Sequence, residues 1–230
     1  MNDNELRGPQ WRRLVGEFFP PILGGTPEAW AEANGIVAAR LLDPDAWMAR
    51  LQSATDYAEF DRRYNLDWLG WMCELVGVPV PPPAEAIDVA RRASIYATSR
   101  VRAAYPGAAE AIRTLHSRGY RLFTASGTTS WELDGYLTAM GVRDCFERLY
   151  GPDLIATHKG GPKYYERLFA DAGVTPREAL VLDDNRLVLR WAASVGARTV
   201  LVGDASVTAV RPLRAIRALA ELPAIIEDFE

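Results

Sequence analysis

The run Ala179-Leu180-Val181-Leu182-Asp183-Asp184-Asn185 restricts this chain more than any other stretch. Four apolar residues lead straight into two adjacent carboxylates. A short apolar run of this kind reads as a strand buried on both faces. At the carboxyl edge of a parallel sheet, acids project into the crevice where ligands bind. Two side by side most simply make a site for a hard cation such as Mg²⁺. The plainer alternative is that one Asp caps the next helix and the other is solvated.

A chain of 230 residues suits one α/β domain with a sizeable insertion, or two small domains. Its net charge of −4 leaves no basic footprint, so nucleic acid is not an expected partner. Cys73 and Cys145 stand in no metal or redox motif, which suits a reducing compartment. No apolar run approaches the length of a membrane span, and the first residues carry no signal-peptide core. A cytoplasmic protein without a membrane partner is the expectation.

The chain divides near residue 100, into a mostly helical part over 1–98 and an alternating part over 99–230. In the first part Thr26-Pro27-Glu28 reads as a helix start, with Thr as N-cap and Pro in the first helical position. Ala29, Ala33, Ile36, Val37 and Leu41 follow at helical spacing. Asp45 is read as the cap of a second helix carrying Trp47, Met48 and Leu51. A third, about 57–75, carries Phe60, Tyr64, Trp68, Trp71 and Met72. After Val80-Pro81-Pro82-Pro83 breaks the pattern, a fourth occupies about 84–103. Aromatic stripes of this kind are more often helix-packing core than a ligand cage.

In the second part, strands are expected at 120–124, 146–150, 180–183 and 198–202. Helices are expected from 106 to 116, 130 to 140, 162 to 172 and 187 to 194, with a closing helix containing Ile216 and Leu219. Repeated strand–helix units imply a doubly wound parallel sheet, an α/β fold. Right-handed crossovers place every strand's carboxyl end on one edge. Thr124, the loop holding Lys159, and Asp183-Asp184 therefore meet there. A hydroxyl at a strand end, followed by the backbone N–H groups of Ala125 and Ser126, can hold a phosphate oxygen, although it can equally cap a helix. Lys159, in Thr157-His158-Lys159-Gly160-Gly161-Pro162, can neutralise a phosphoryl group beside the acids. His116, His158 and Lys163 read as surface residues.

The order and spacing of these pieces resemble the haloacid dehalogenase superfamily of hydrolases. Tyr105-Pro106-Gly107-Ala108 is similar to the start of the family's core domain. Leu122-Phe123-Thr124-Ala125-Ser126 resembles its second motif, and Lys159-Gly160-Gly161-Pro162-Lys163-Tyr164-Tyr165 its third, with Gly160 in place of the common Pro. Val181-Leu182-Asp183-Asp184 resembles the acidic fourth motif. The resemblance implies a Rossmann-like core over about 100–225 beneath an α-helical cap. It also implies a Mg²⁺-dependent phosphatase that hydrolyses a small phosphorylated metabolite through an aspartyl-phosphate. Thr124 and Lys159 would then be catalytic, with Ala125 and Ser126 also binding phosphate and Asp183 and Asp184 holding the metal.

The family's first motif, an apolar strand ending Asp-x-Asp-Gly-Thr, has no counterpart here. Ile22-Leu23-Gly24-Gly25-Thr26 echoes only its end. Asp43-Pro44-Asp45 has the carboxylate spacing but reads as a helix break and recap. Two explanations follow: a truncated beginning, with that strand upstream of Met1, or a natural pseudoenzyme that binds a phosphorylated ligand or a protein partner. Truncation is preferred, because the missing strand is central, between those ending at Thr124 and Asp183. Removing it leaves two rows of unpaired backbone groups. Segment 14–19 could fill the position, but Gly16 and Glu17 suit a buried strand poorly. The chain as written is expected to lack phosphatase turnover.

Overall fold

The computed structural model describes residues 2–203 and 214–229. They form two compact units. A helical unit contains Asn2–Ala103 and Trp131–Ala139; an α/β unit contains Ala104–Ser130 and the residues from Met140 onward.

Six helices open the helical unit: α1 (Asn4–Phe18), the single turn α2 (Pro20–Leu23), α3 (Pro27–Leu41), α4 (Pro44–Ser53), α5 (Tyr57–Val76) and α6 (Pro83–Thr98). Thr26 caps α3 as the sequence predicts, its Oγ1 accepting from the Ala29 N–H at 3.2 Å. The cap of α4 is Asp43, not Asp45: its carboxylate accepts from the Ala46 N–H at 3.0 Å. Pro44 decides this, because proline favours the first helical position and so makes the residue before it the cap. Segment 14–19, considered above as a strand, belongs to α1 and its C-cap.

The aromatic residues of this unit pack against one another, with Phe19, Trp30, Phe60 and Trp68 buried and Trp11, Trp47 and Trp71 half-buried. Phe19 stacks on Trp30 with ring centroids 4.5 Å apart, and Trp68 meets Phe19 edge-on at 6.0 Å. Trp47 packs edge-on against Phe60 at 5.0 Å. Buried indoles need partners for their N–H groups. Trp30 donates to the Gly24 carbonyl at 2.7 Å, and Trp68 donates to the buried Asn34 Oδ1 at 3.0 Å.

The chain continues through α7 (Ala108–Ser117), β1 (Leu122–Ala125), α8 (Ser130–Met140), β2 (Phe146–Tyr150), α9 (Pro152–Ile155), α10 (Pro162–Ala172), β3 (Leu180–Asp183), α11 (Arg186–Ser194), β4 (Arg198–Val202), β5 (Arg214–Ile216) and α12 (Leu222–Ile225), all in the α/β unit except α8, which lies in the helical unit apart from its two end residues. Left-handed glycines end two of these helices, Gly141 after α8 and Gly173 after α10. Every strand pairing is parallel. Side chains of α10 and α11 cover one face, and Leu115 of α7 with Leu222 of α12 covers the other. This is the doubly wound α/β architecture expected from the alternation.

Two features depart from expectation. Ile216 lies in strand β5, not in a closing helix, while Leu219 begins a short 3₁₀ turn. Its register puts Ile216 opposite Val202, and the Gly203 N–H donates to the Ile216 carbonyl at 2.8 Å. Pairing with the edge of β4 overrides a spacing that also fits a helix.

The second departure concerns the sheet itself. Among the described residues it is split, β1 pairing only with β2, and β3 only with β4 in the order β3-β4-β5. Both pieces nevertheless share the same apolar layers. Leu122 packs in one cluster with Leu180 and Leu182, and Phe123 and Ala125 in another with Val181. Leu122, Phe123, Leu180 and Leu182 are half-buried, while Thr124 and Val181 in the same strands and Leu149, Tyr150, Val200 and Leu201 in their neighbours are buried.

Trp68→Phe removes the indole donor and leaves the Asn34 carbonyl oxygen buried without it. The expected cost is about 1–3 kcal/mol. It should appear as a lower urea midpoint with an unchanged slope.

Candidate active site

Lys159 is the centre of the site. Its ammonium donates to Asp183 Oδ2 at 2.6 Å and to the Ala125 carbonyl at 2.6 Å. The two side chains of this ion pair are only 13% and 11% exposed. A lysine before a helix normally faces water; here one cation ties the carboxyl end of β1 to that of β3.

The loop upstream of Lys159 is held firmly. Ala156, at the end of α9, has φ 46°, which a residue with a Cβ adopts only when its surroundings demand it. Arg167 of α10 donates to the Ile155 and Ala156 carbonyls at 2.9 and 3.0 Å. Pro162 then begins α10. Burial pushes the His158 imidazole below its ordinary pKa. Lys163 is exposed, as expected.

The acids divide their roles. Asp183 Oδ1 accepts from the Asn185 N–H at 2.8 Å, and Asn185 in turn caps α11 by accepting from the Leu187 N–H at 2.9 Å. Neither Asp is therefore the helix cap. Asp184 is exposed and has no hydrogen-bond or ion-pair partner among the described residues.

The second-motif segment is arranged differently from the sequence expectation. Strand β1 ends one residue later, at Ala125. The Thr124 hydroxyl is buried and donates to the Tyr150 carbonyl at 3.3 Å, toward β2. The Ser126 N–H, expected to be free for a phosphate oxygen, is shared between the Tyr150 carbonyl at 3.1 Å and Tyr164 Oη at 2.9 Å. The Ser126 hydroxyl is half-buried and accepts from the Thr128 N–H at 3.0 Å. Gly127, in the exposed turn between them, is the first residue whose N–H has no partner among the described residues.

Tyr164 is the residue that sequence reasoning passed over. Fully buried, its hydroxyl lies 3.0 Å from both the Ser126 and Tyr150 carbonyls while accepting from the Ser126 N–H. It fastens α10, which follows the Lys159 loop, to the end of β1. The available signal was the aromatic pair three residues after Gly161. Burial raises the Tyr164 phenol far above its ordinary pKa, so it stays a neutral donor. Tyr165 beside it is also fully buried, yet its hydroxyl has no partner among the described residues. Burial and the Asp183 charge push that phenol up as well.

The haloacid dehalogenase-like hydrolase profile matches residues 22–196, most of the chain. The chain belongs to that family. Protein CbbY of Rhodobacter capsulatus is 33% identical over 99 residues, 42% of this chain and 44% of CbbY, so the likeness spans less than half of that relative. The L-2-haloacid dehalogenase of Xanthobacter autotrophicus superposes with a TM-score of 0.62 at 18% identity, over 99% of this chain and 94% of its own. A HAD phosphatase from Thermococcus onnurineus superposes with a TM-score of 0.53 at 20% identity, over 96% and 91%. At such identities the structural likeness carries the fold alone. No described helix is long and apolar enough to cross a membrane.

Tyr165→Phe tests the orphaned hydroxyl. Removing an unpaired buried polar atom relieves about 1 kcal/mol, and Tm should rise by roughly 2–4 °C. A fall in Tm would show that the hydroxyl has a partner in solution.

Proposed function

We propose that the α/β unit is the phosphoryl- and Mg²⁺-binding part of a phosphohydrolase acting on a small phosphorylated metabolite, with the helical unit as its cap. What carries this reading is the Lys159–Asp183 pair, a nearly buried cation and acid beside the exposed Asp184. Lys159 lies where it can neutralise a phosphoryl oxygen, and the Ser126 hydroxyl and Gly127 N–H are the adjoining donors. When a phosphate arrives, the ammonium exchanges the Ala125 carbonyl for a charged oxygen. Its place is kept by the Ala156–Arg167 clamp.

The donor set fits Mg²⁺ of a particular kind. Among the described residues no group of three His, Cys, Asp or Glu could hold a metal, so an all-protein cage is absent. Mg²⁺ commonly binds through one or two carboxylates, keeps several waters and takes substrate phosphate oxygens. Asp184 offers free oxygens, and each oxygen of Asp183 retains a lone pair beyond its present bond. Asp183 and Asp184 would hold the ion, which would offset phosphate charge. Aspartyl-phosphate chemistry also needs a carboxylate in line with phosphorus. Residues 1–230 show no first-motif pair to supply it, so they are proposed to bind without turnover, like a non-catalytic phosphate-binding protein.

Titration with inorganic phosphate, followed by ³¹P NMR, tests this. Binding of about millimolar strength is expected, at least ten-fold tighter with Mg²⁺ than without. Lys159→Met should abolish it, and Asp184→Asn should remove the Mg²⁺ dependence. An aryl phosphate should not be hydrolysed with or without Mg²⁺. Absence of phosphate binding would overturn the assignment, and robust Mg²⁺-dependent hydrolysis would show that a nucleophile is present.

A further inference from the structure

We propose that Asp153 is the positioning residue of the loop that follows β1, holding that loop from α9 so that the Ser126 hydroxyl and the Gly127 N–H stay in place for a phosphate. This role rests on the phosphate-binding reading of the site, and Asp153 lies outside the motifs named above. The loop has two differently anchored ends, both in the α/β unit. At its start, the Ser126 N–H is held by the Tyr150 carbonyl and Tyr164 Oη. At its far end, Asp153 Oδ1 accepts from the Ser130 N–H at 2.8 Å, and Oδ2 accepts from the Ser130 hydroxyl. Both oxygens of one carboxylate thus close on one residue, and bonds to a charged acceptor are the strong ones. Ser130 is the first residue of α8, where N–H groups lack intrahelical partners and a negative charge is favoured. Between the anchors hang Gly127, Thr128 and Thr129. Without Asp153 the loop keeps only its first anchor and the bond from the Thr128 N–H to the Ser126 hydroxyl.

The contact is close as well as charged. A Cβ on Gly151, just before α9, would stand 2.3 Å from the Thr128 carbonyl oxygen and 2.7 Å from both the Ser130 nitrogen and Asp153 Oδ1. Only glycine permits that approach. The turn into α9 is therefore moulded against the loop, and it delivers Asp153 to Ser130. The same stretch of chain carries Lys159 six residues later. Between the two, Arg167 grips the Ile155 and Ala156 carbonyls. Residues 151–159 thus serve as one scaffold for both the site's ammonium and the far anchor of the loop that supplies its N–H and hydroxyl donors.

Charge and geometry act in opposite directions here, which makes the role separable. A carboxylate near a phosphate opposes it by repulsion, whereas a carboxylate that fixes the loop favours it. Asparagine at 153 removes the charge and keeps the contact. Its carbonyl oxygen still accepts from the Ser130 N–H, and its amide donates to the Ser130 hydroxyl. Alanine removes both.

The test uses the whole chain, with inorganic phosphate and Mg²⁺ followed by ³¹P NMR, and amide hydrogen exchange measured without phosphate. Asp153→Ala should weaken phosphate binding about ten-fold, the cost of re-ordering roughly one backbone residue on binding. Asp153→Asn should stay within about three-fold of the native protein, because its contact to Ser130 survives. In Asp153→Ala, exchange at Ser126 and Thr128 should quicken about ten-fold as the loop loses order, with residues 180–183 unchanged. Unchanged or tighter phosphate binding by Asp153→Ala overturns the proposal, since the residue would then act only through its charge or through overall stability. Asn binding as weakly as Ala overturns it too, as does quickened exchange confined to Ser130. If Asp153→Ala does not fold, Gly151→Ala carries the test, because its Cβ has to displace the Thr128 carbonyl. The same weakening and the same quickened exchange are expected of it, and native affinity in that variant overturns the proposal. Native protein that binds no phosphate ends the phosphate-binding reading, while exchange alone still decides whether Asp153 holds the loop.

Discussion

A single ammonium joins two half-sheets in this protein. Among the described residues, no backbone hydrogen bond connects β1 to β3. Lys159 reaches the carbonyl that ends one and the carboxylate that ends the other. A charge-assisted hydrogen bond is stronger than a neutral one, especially where water is nearly excluded. The interaction sits at one end of the strands, so it aligns their carboxyl ends and leaves the rest of each edge unpaired. The apolar layers above and below supply the remaining cohesion.

The same contact explains why the site has its present electrostatics. A buried carboxylate without a cation is costly, and so is a buried ammonium without an acid. Pairing offsets that cost for two side chains only 13% and 11% exposed. Asp184, one residue on, is exposed and has no hydrogen-bond or ion-pair partner among the described residues. The edge therefore holds one paired acid and one acid without a partner among the described residues.

Much of this architecture was legible in the residues, for local reasons. Gly141 and Gly173 mark helix ends because their backbones are left-handed, at φ 73° and 62°. The runs at β3 and β4 are short, mostly apolar and bounded by turns, whereas β2 carries the exposed Glu147 and Arg148 between apolar ends. Convergence of Lys159 and Asp183 followed from the topology of parallel strands. What stayed hidden depended on shifts of one residue or on tertiary partners. Whether Asp43 or Asp45 caps α4 turns on where Pro44 sits in the first turn. The Thr124 hydroxyl faces β2 because β1 ends at Ala125, and the Ser126 N–H is taken by a tyrosine 38 residues away. Strand β5 exists because β4 has an edge to offer, and spacing alone does not report that.

The loop around Lys159 is mechanically lopsided. Before it, Ala156 is fixed at φ 46° and Arg167 grips the chain. After it come Gly160 and Gly161, neither of which has an atom within 4 Å of where a Cβ would stand. Those glycines are therefore not required by crowding; what they contribute is backbone freedom. The chain is thus held by side-chain hydrogen bonds upstream of the lysine and left uncrowded downstream of it.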